Sequence, residues 1–141
     1  EDQAALLPEG VRPVVGQGDE LAGVVGSEPS VDAVIDTLGG DGLPHLLASV
    51  VPGGRAALIG YTLGKSLTLD LPNWLLSDVR ILPVNMIRKT ARQAELAPEM
   101  IRLLIEGKIS VAVQEFPLDD IATALQLMGE GKVAGRAVVV P

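Results

Sequence analysis

VDAVIDTLGG, residues Val31 to Gly40, and GGRAALIGYTLG, Gly53 to Gly64, decide the fold of this chain. Each is a run of aliphatic and β-branched residues that stops abruptly at glycine. Strands covered on both faces have this composition, and in doubly wound sheets their carboxyl ends open onto a ligand crevice. The first strand is expected over Ala33 to Leu38 and the next over Arg55 to Gly60. Between them Leu43 to Val51 places Leu43, Leu46, Leu47, Val50 and Val51 at helical spacing, and Pro52-Gly53-Gly54 ends that helix and reverses the chain. A β-α-β order of this kind predicts an α/β domain with a parallel sheet.

Working outward, the amino-terminal side is weaker. A helix end at Gln3 to Leu7 is stopped by Pro8, Gly10 suits a turn, and Val11 to Val15 reads as a short strand. Asp19 to Val25 is a short helix, and Ser27, Pro29 and Ser30 make a turn. Downstream, Leu67, Leu69 and Leu71 alternate with polar residues from Ser66 to Leu71, predicting an extended segment before the short helix Trp74 to Ser77. Arg80 to Met86 is a third strand, and Pro83 within it, which cannot donate a ladder hydrogen bond, predicts an edge or a bulge. The longest helix spans Ala91 to Glu106 and ends at Gly107, with Pro98 expected to kink it or to mark where its second half starts. A strand at Ser110 to Phe116, a helix at Asp119 to Met128 capped by Asp119 or Asp120, a loop from Gly129 to Gly135 and a strand at Arg136 to Val140 complete the chain.

The 141 residues, 48% hydrophobic and 21% charged, suit one globular domain able to bury roughly two thirds of its unfolded surface. Net charge is −7, and the 11 basic residues are scattered rather than gathered in a stripe, which argues against nucleic acid as a partner. With no cysteine there are no disulfides, thiolate metal sites or cysteine nucleophiles, and a reducing cytoplasm is the expected compartment. Apolar runs are strand-sized and broken by Gly, Pro or Asp, so no membrane span is expected. The opening EDQAALLPEG has no signal-peptide character and no initiator Met, and is expected to be the cut end of a longer protein.

The succession VDAVIDTLGG, PGGRAALIGY, RILPVNM, MIRLLIEGKI and FPLDDIATALQLMGEGKVAGRAVVV resembles the carboxyl-terminal half of medium-chain dehydrogenase/reductases, in particular the zinc-independent quinone oxidoreductase-like branch. The resemblance runs from about Ala4 to Pro141, and the FPL ending is characteristic when it follows the D-x-x-G-G and P-G-G-R pair. It implies a partial Rossmann-like doubly wound sheet over residues 1–109 that lacks its first two strands. Residues 110–141 would return toward a GroES-like catalytic domain. In the order 3-2-1-4-5-6 the missing strands would fall between Val11 to Val15 and Ala33 to Leu38, leaving a hole in the sheet. The resemblance also implies an NADP- or NAD-dependent oxidoreductase acting on a quinone, enone or alcohol, without metal. It implies a homodimer joined through Arg80 to Met86, with the catalytic residues mainly outside this chain.

In a parallel sheet Asp36, Thr37, Gly39 and Gly40, then Gly60 and Tyr61, then Asn85 and Met86 follow the carboxyl ends of successive strands and line one crevice. In the resembled family such positions pack around the adenosine and nicotinamide portions of the dinucleotide, and glycine permits close approach. The competing reading is that these glycines only form turns. No strand, glycine-rich turn and helix of the phosphate-binding kind is present. Gly16-Gln17-Gly18 imitates its start, but Leu21 stands at the third glycine position, which predicts an ordinary turn. His45, without other ligands at suitable spacing, reads as a core-edge residue rather than a metal ligand, and Asp119-Asp120 as a helix start rather than an acid-base pair. The different-class alternative is an assembly or binding module that no longer holds nucleotide.

Overall fold

The computed structural model describes residues 6–16, 18–28 and 30–141. Residues 3–5 of the expected helix end, Gln17 of the glycine turn and Pro29 of the expected Ser-Pro-Ser turn lie outside them. The chain divides into two compact units, Val14–Arg92 and a second made of 6–13 with Gln93–Pro141.

The first unit follows the β-α-β reading. After α1 (Glu20–Gly26) come β1 (Val31–Asp36), α2 (Leu43–Ala48), β2 (Val50–Leu58), α3 (Leu71–Ser77) and β3 (Arg80–Pro83). The three strands are parallel in the order β1-β2-β3, with Asp36 opposite Leu58 and Leu58 opposite Pro83. Val11 to Val15 forms no strand, so the sheet is contiguous and the expected hole is not there. A short β-branched run is held as a strand only by ladder pairing with a neighbour, and none of the described strands pairs with this one. Gly10 does turn the chain, at φ 84°, with the Val11 N–H bonded to Pro8 C=O.

α2 and α3 lie on the same side of the sheet, as successive crossovers of one hand require. Leu43 and Leu47, one helical turn apart, are buried with Val50, Ala56 and Val79, and Val34, Leu58, Leu67, Leu69, Trp74 and Ile81 pack around them. Each fully buried leucine contributes about 2 kcal/mol relative to exposure. The opposite sheet face is open within this unit: Ile35 is 72% and Leu82 45% exposed. Their apolar runs predict cover on both faces, and this unit supplies helices for one.

Several boundaries differ from expectation. α2 stops at Ala48, where the Ser49 hydroxyl donates to Leu46 C=O, and Val50 already pairs with Val31. The Pro52-Gly53-Gly54 reversal therefore lies inside β2, as a bulge between the pairs Val31–Val50 and Ala33–Arg55. Gly53 adopts φ 78° there, and at Gly54 a Cβ would sit 2.8 Å from Asp32 C=O. Ser66 to Leu71 joins no strand, yet its alternation survives in burial, with Leu67 and Leu69 half-buried. α3 starts at Leu71, three residues early, because Asp70 at the N-cap is extended and Pro72 suits the first turn. β3 ends at Pro83; the Val84 N–H still bonds Leu58 C=O, after which a 3-10 turn spans Ile87–Lys89. Since alternate amides face opposite neighbours, the Pro83 nitrogen faces the free edge, where the sequence places it.

α4 (Thr90–Ile105), which belongs to the second unit from Gln93 on, continues through Pro98 as one helix and does not restart there. It closes at Gly107, φ 67°, with Lys108 N–H on Leu103 C=O and Gly107 N–H on Leu104 C=O, a Schellman arrangement. β4 (Val113–Pro117) begins three residues later than expected, α5 (Ile121–Gly129) follows a 3-10 turn at Leu118–Asp120, and β5 (Arg136–Val140) pairs parallel with β4. Asp120 occupies the N-cap position of α5 but makes no side-chain capping bond, correcting the capping expectation; the preceding 3-10 turn gives it φ −102° and ψ 19°, outside the extended geometry a cap requires. Phe116, Ala124 and Val133 form this unit's small core.

Candidate functional site

The carboxyl ends of β1 and β2 meet through their loops. Asp36 is the hub. Its backbone C=O accepts from Ile59 N–H at 2.8 Å, extending the β1–β2 ladder by one bond. Its carboxylate, on a residue only 5% exposed, turns back and accepts from Gly39 N–H at 2.8 Å and, more weakly, from Leu38 N–H at 3.4 Å. The Leu38 C=O in turn accepts from Leu63 N–H at 2.9 Å, tying the Thr37–Gly40 turn to the Gly60–Gly64 loop.

The glycines make that meeting possible. A Cβ at Gly60 would lie 1.8 Å from Thr37 C=O, one at Gly39 2.8 Å from Gly64 C=O, and one at Gly64 2.6 Å from the Gly40 Cα. Gly39 and Gly40 also take φ 67° and 85°. The close approach expected for a ligand is thus taken by backbone of the facing loop. Polar side chains left exposed here include Thr37 and Tyr61, the latter 68% exposed, and Leu38 and Leu63 are exposed beside them. Of the sequence-derived residues, Asp36, Thr37, Gly39, Gly40, Gly60 and Tyr61 come together in these two loops. Asn85 and Met86 lie beyond the end of β3: the Asn85 carboxamide oxygen accepts from Arg88 N–H at 3.0 Å, and Met86 opens the 3-10 turn. Sequence reasoning does not single out Leu38, Leu63 and Gly64; the second glycine of the GYTLG run, Gly64, is the signal that could have found them.

Clefts lie elsewhere among the described residues of this unit. One of about 380 Å³ separates α2 from α3, lined by Leu47, Leu69, Trp74 and Asn73 among others. Its polar groups are engaged internally: Asn73 donates to Asp70, Trp74 Nε1 to Val79 C=O and Ser77 to Trp74 C=O. Another, about 230 Å³, runs between α1 and α2 beside His45, whose Nε2 is 3.6 Å from Asp19.

The residues fit a dinucleotide in part. The two loops offer a mixed rim at the strand ends, with Thr37 and Tyr61 beside exposed Leu38 and Leu63, whereas no strand leads into the turn before α1 among the described residues, and at Gly16 a Cβ would already touch Leu21 at 3.3 Å. A zinc ion is not fitted: the chain has no cysteine, and no group of three His, Asp or Glu converges among the described residues. No helix among them is long and apolar enough to cross a membrane.

The zinc-binding dehydrogenase family profile matches residues 10–139, and this chain belongs to that family. The parallel strands and covering helices match the Rossmann-like domain of such enzymes, as a partial sheet. The chain is 28% identical over 117 residues to a phenolphthiocerol/phthiocerol polyketide synthase component of Mycobacterium tuberculosis; this covers 77% of the chain and 5% of that protein. Among solved structures, a mycobacterial protein complexed with NADPH matches 86% of the chain and 40% of its own length at TM-score 0.71 and 26% identity. The CurF ER cyclopropanase of the curacin A pathway matches 99% and 44% at TM-score 0.74 and 23% identity, a likeness of fold.

Proposed function

We propose that this chain is the later part of the cofactor domain of an NAD(P)H-dependent oxidoreductase that passes hydride between nicotinamide and a quinone, enone or alcohol. The observation that carries the reading is the union of the Asp36–Gly40 and Gly60–Tyr61 loops at the carboxyl ends of parallel strands, in a chain of the zinc-binding dehydrogenase family. Asp36, Thr37, Gly39, Gly40, Gly60 and Tyr61 form the rim toward the cofactor, with Asn85 and Met86 at its far end. The chain binds and orients the dinucleotide; hydride chemistry belongs to the nicotinamide. Likeness to a polyketide synthase favours, among these acceptors, an enone of the polyketide type. Residues 1–109 would form the cofactor part and 110–141 the return to a catalytic domain, in a cytoplasmic homodimer that needs no metal.

The lack of a strand-to-glycine-turn entry into α1 among the described residues favours a second reading, a module that assembles but holds no nucleotide. Titrating NADPH and NADH into the purified chain, with cofactor fluorescence and melting temperature as readouts, separates the two. Saturable micromolar binding supports the cofactor reading. No response at millimolar cofactor supports the module.

A further inference from the structure

We propose that Asp36 is a positioning residue that makes the Thr37–Gly40 turn and the Gly60–Gly64 loop a single ledge. The proposal rests on the cofactor reading only in taking that ledge as the rim of the crevice. Beside its pairing in the β1–β2 ladder, this residue's bonds toward the loops are backbone C=O to Ile59 N–H, carboxylate to Gly39 N–H and carboxylate to Leu38 N–H. The first fixes the end of the ladder. The other two hold the turn in the conformation that aims Leu38 C=O at Leu63 N–H. Gly39, at φ 67°, has no side chain to confine it, so the bond from its amide to a buried carboxylate restrains a position that would otherwise be free.

The facing loop fits only this conformation. Thr37 C=O stands where a Cβ of residue 60 would be, and Gly40 Cα stands against Gly64. Close-packed backbones have little room for partial displacement, so the turn and the loop open together. The consequence for a ligand is that Thr37 and Tyr61, on different loops, keep a fixed spacing; that spacing, rather than glycine contact, selects what the rim accepts.

The test is amide hydrogen exchange at Gly39 and Leu63 in the full chain and in Asp36→Ala, Asp36→Asn and Gly64→Ala. Leu63 makes no bond to Asp36, so its amide reports coupling rather than loss of a direct partner. In Asp36→Ala both amides should exchange at least about tenfold faster, the scale of losing a bond to a charged group. Asp36→Asn keeps one oxygen acceptor, should retain the fold and should fall between. Gly64→Ala, altered on the other loop, should raise exchange at Gly39 reciprocally. Faster exchange at Gly39 with Leu63 unchanged, in either Asp36 variant, overturns the inference. NADPH titration of the same samples keeps the questions apart. Failure of the unaltered chain to bind defeats the cofactor reading alone, and uncoupled exchange defeats the ledge alone.

Discussion

The indole N–H of Trp74 donates to the backbone C=O of Val79 at 3.1 Å, so a side chain of α3 holds the segment that leads into β3. Between them the chain reverses at Asp78, which adopts φ 52°, a left-handed conformation uncommon outside glycine. Trp74 also packs against the core around Leu47 and Val79. Trp74→Phe keeps most of the apolar contact and removes the bond; it should cost about 1–2 kcal/mol, since Val79 is buried and its C=O loses a partner. Trp74→Ala should cost about 3 kcal/mol or more. Chemical denaturation followed by circular dichroism checks both, and equal losses in the two variants would show that the bond rather than the packing dominates.

Glycine content alone misleads about which glycines are indispensable. Gly60→Ala places a methyl group 1.8 Å from Thr37 C=O, backbone against backbone, and should destabilise by more than about 3 kcal/mol. Gly131→Ala meets no atom within 4 Å and suffers only its φ of 66°, a strain of about 1–2 kcal/mol. The comparison is made by melting temperature on the two variants side by side. Similar values would mean that the β1 and β2 loops part easily.

On α4, Arg102 bonds Glu99 at the preceding turn and Glu106 at the following one, while Lys108 also reaches Glu106 at 2.8 Å. The Arg102 guanidinium holds the Glu99 carboxyl below its ordinary value, and Lys108 first, then Arg102, does the same for Glu106. Arg102 is raised by both carboxylates and stays charged. Because the folded carboxylates titrate lower than the unfolded ones, their stabilisation is present above the ordinary carboxylate range and is lost as pH falls through the lowered values. All four side chains face water, so the effect is small and screened. Protection factors of α4 amides, each rate referred to the intrinsic rate at the same pH, should fall on acidification through that range at low salt, and Arg102→Gln should flatten the profile. A profile unchanged by Arg102→Gln would remove these pairs from the account.

The sequence made legible what depends on local composition. Ala33 to Leu38 and Arg55 to Gly60 are recognisable because β-branched and aliphatic runs end at glycine, and Gly107 announces the end of α4 because left-handed closure needs it. Long-range geometry was hidden. Val11 to Val15 has strand composition but joins none of the described strands. The bulge at Pro52-Gly53-Gly54 keeps β2 going where composition signals a break, because Val50 already lies in register with Val31. The glycines of the candidate site were legible as a group, but their mutual contact was not, since it depends on two loops meeting across the sheet end.

β3 carries the last prediction, self-association through its free edge. It is the outer strand of the sheet, with Leu82 45% exposed and Val84 half-buried beyond it. An apolar edge with unpaired backbone groups is a template for another strand, and natural edges are blunted by charge, proline or a partner. Here Pro83 removes one outward amide but leaves the neighbouring carbonyls able to accept. A two-fold mate pairing there would satisfy both edges at once and extend the sheet across two copies. Light scattering should therefore give about twice the 14.7 kDa chain mass at tens of micromolar. Val84→Lys, which puts an ammonium group beside its own copy, should shift the equilibrium toward monomer. A monomer in the unaltered chain, with outward-facing β3 amides exchanging freely, would rule out this edge as the interface.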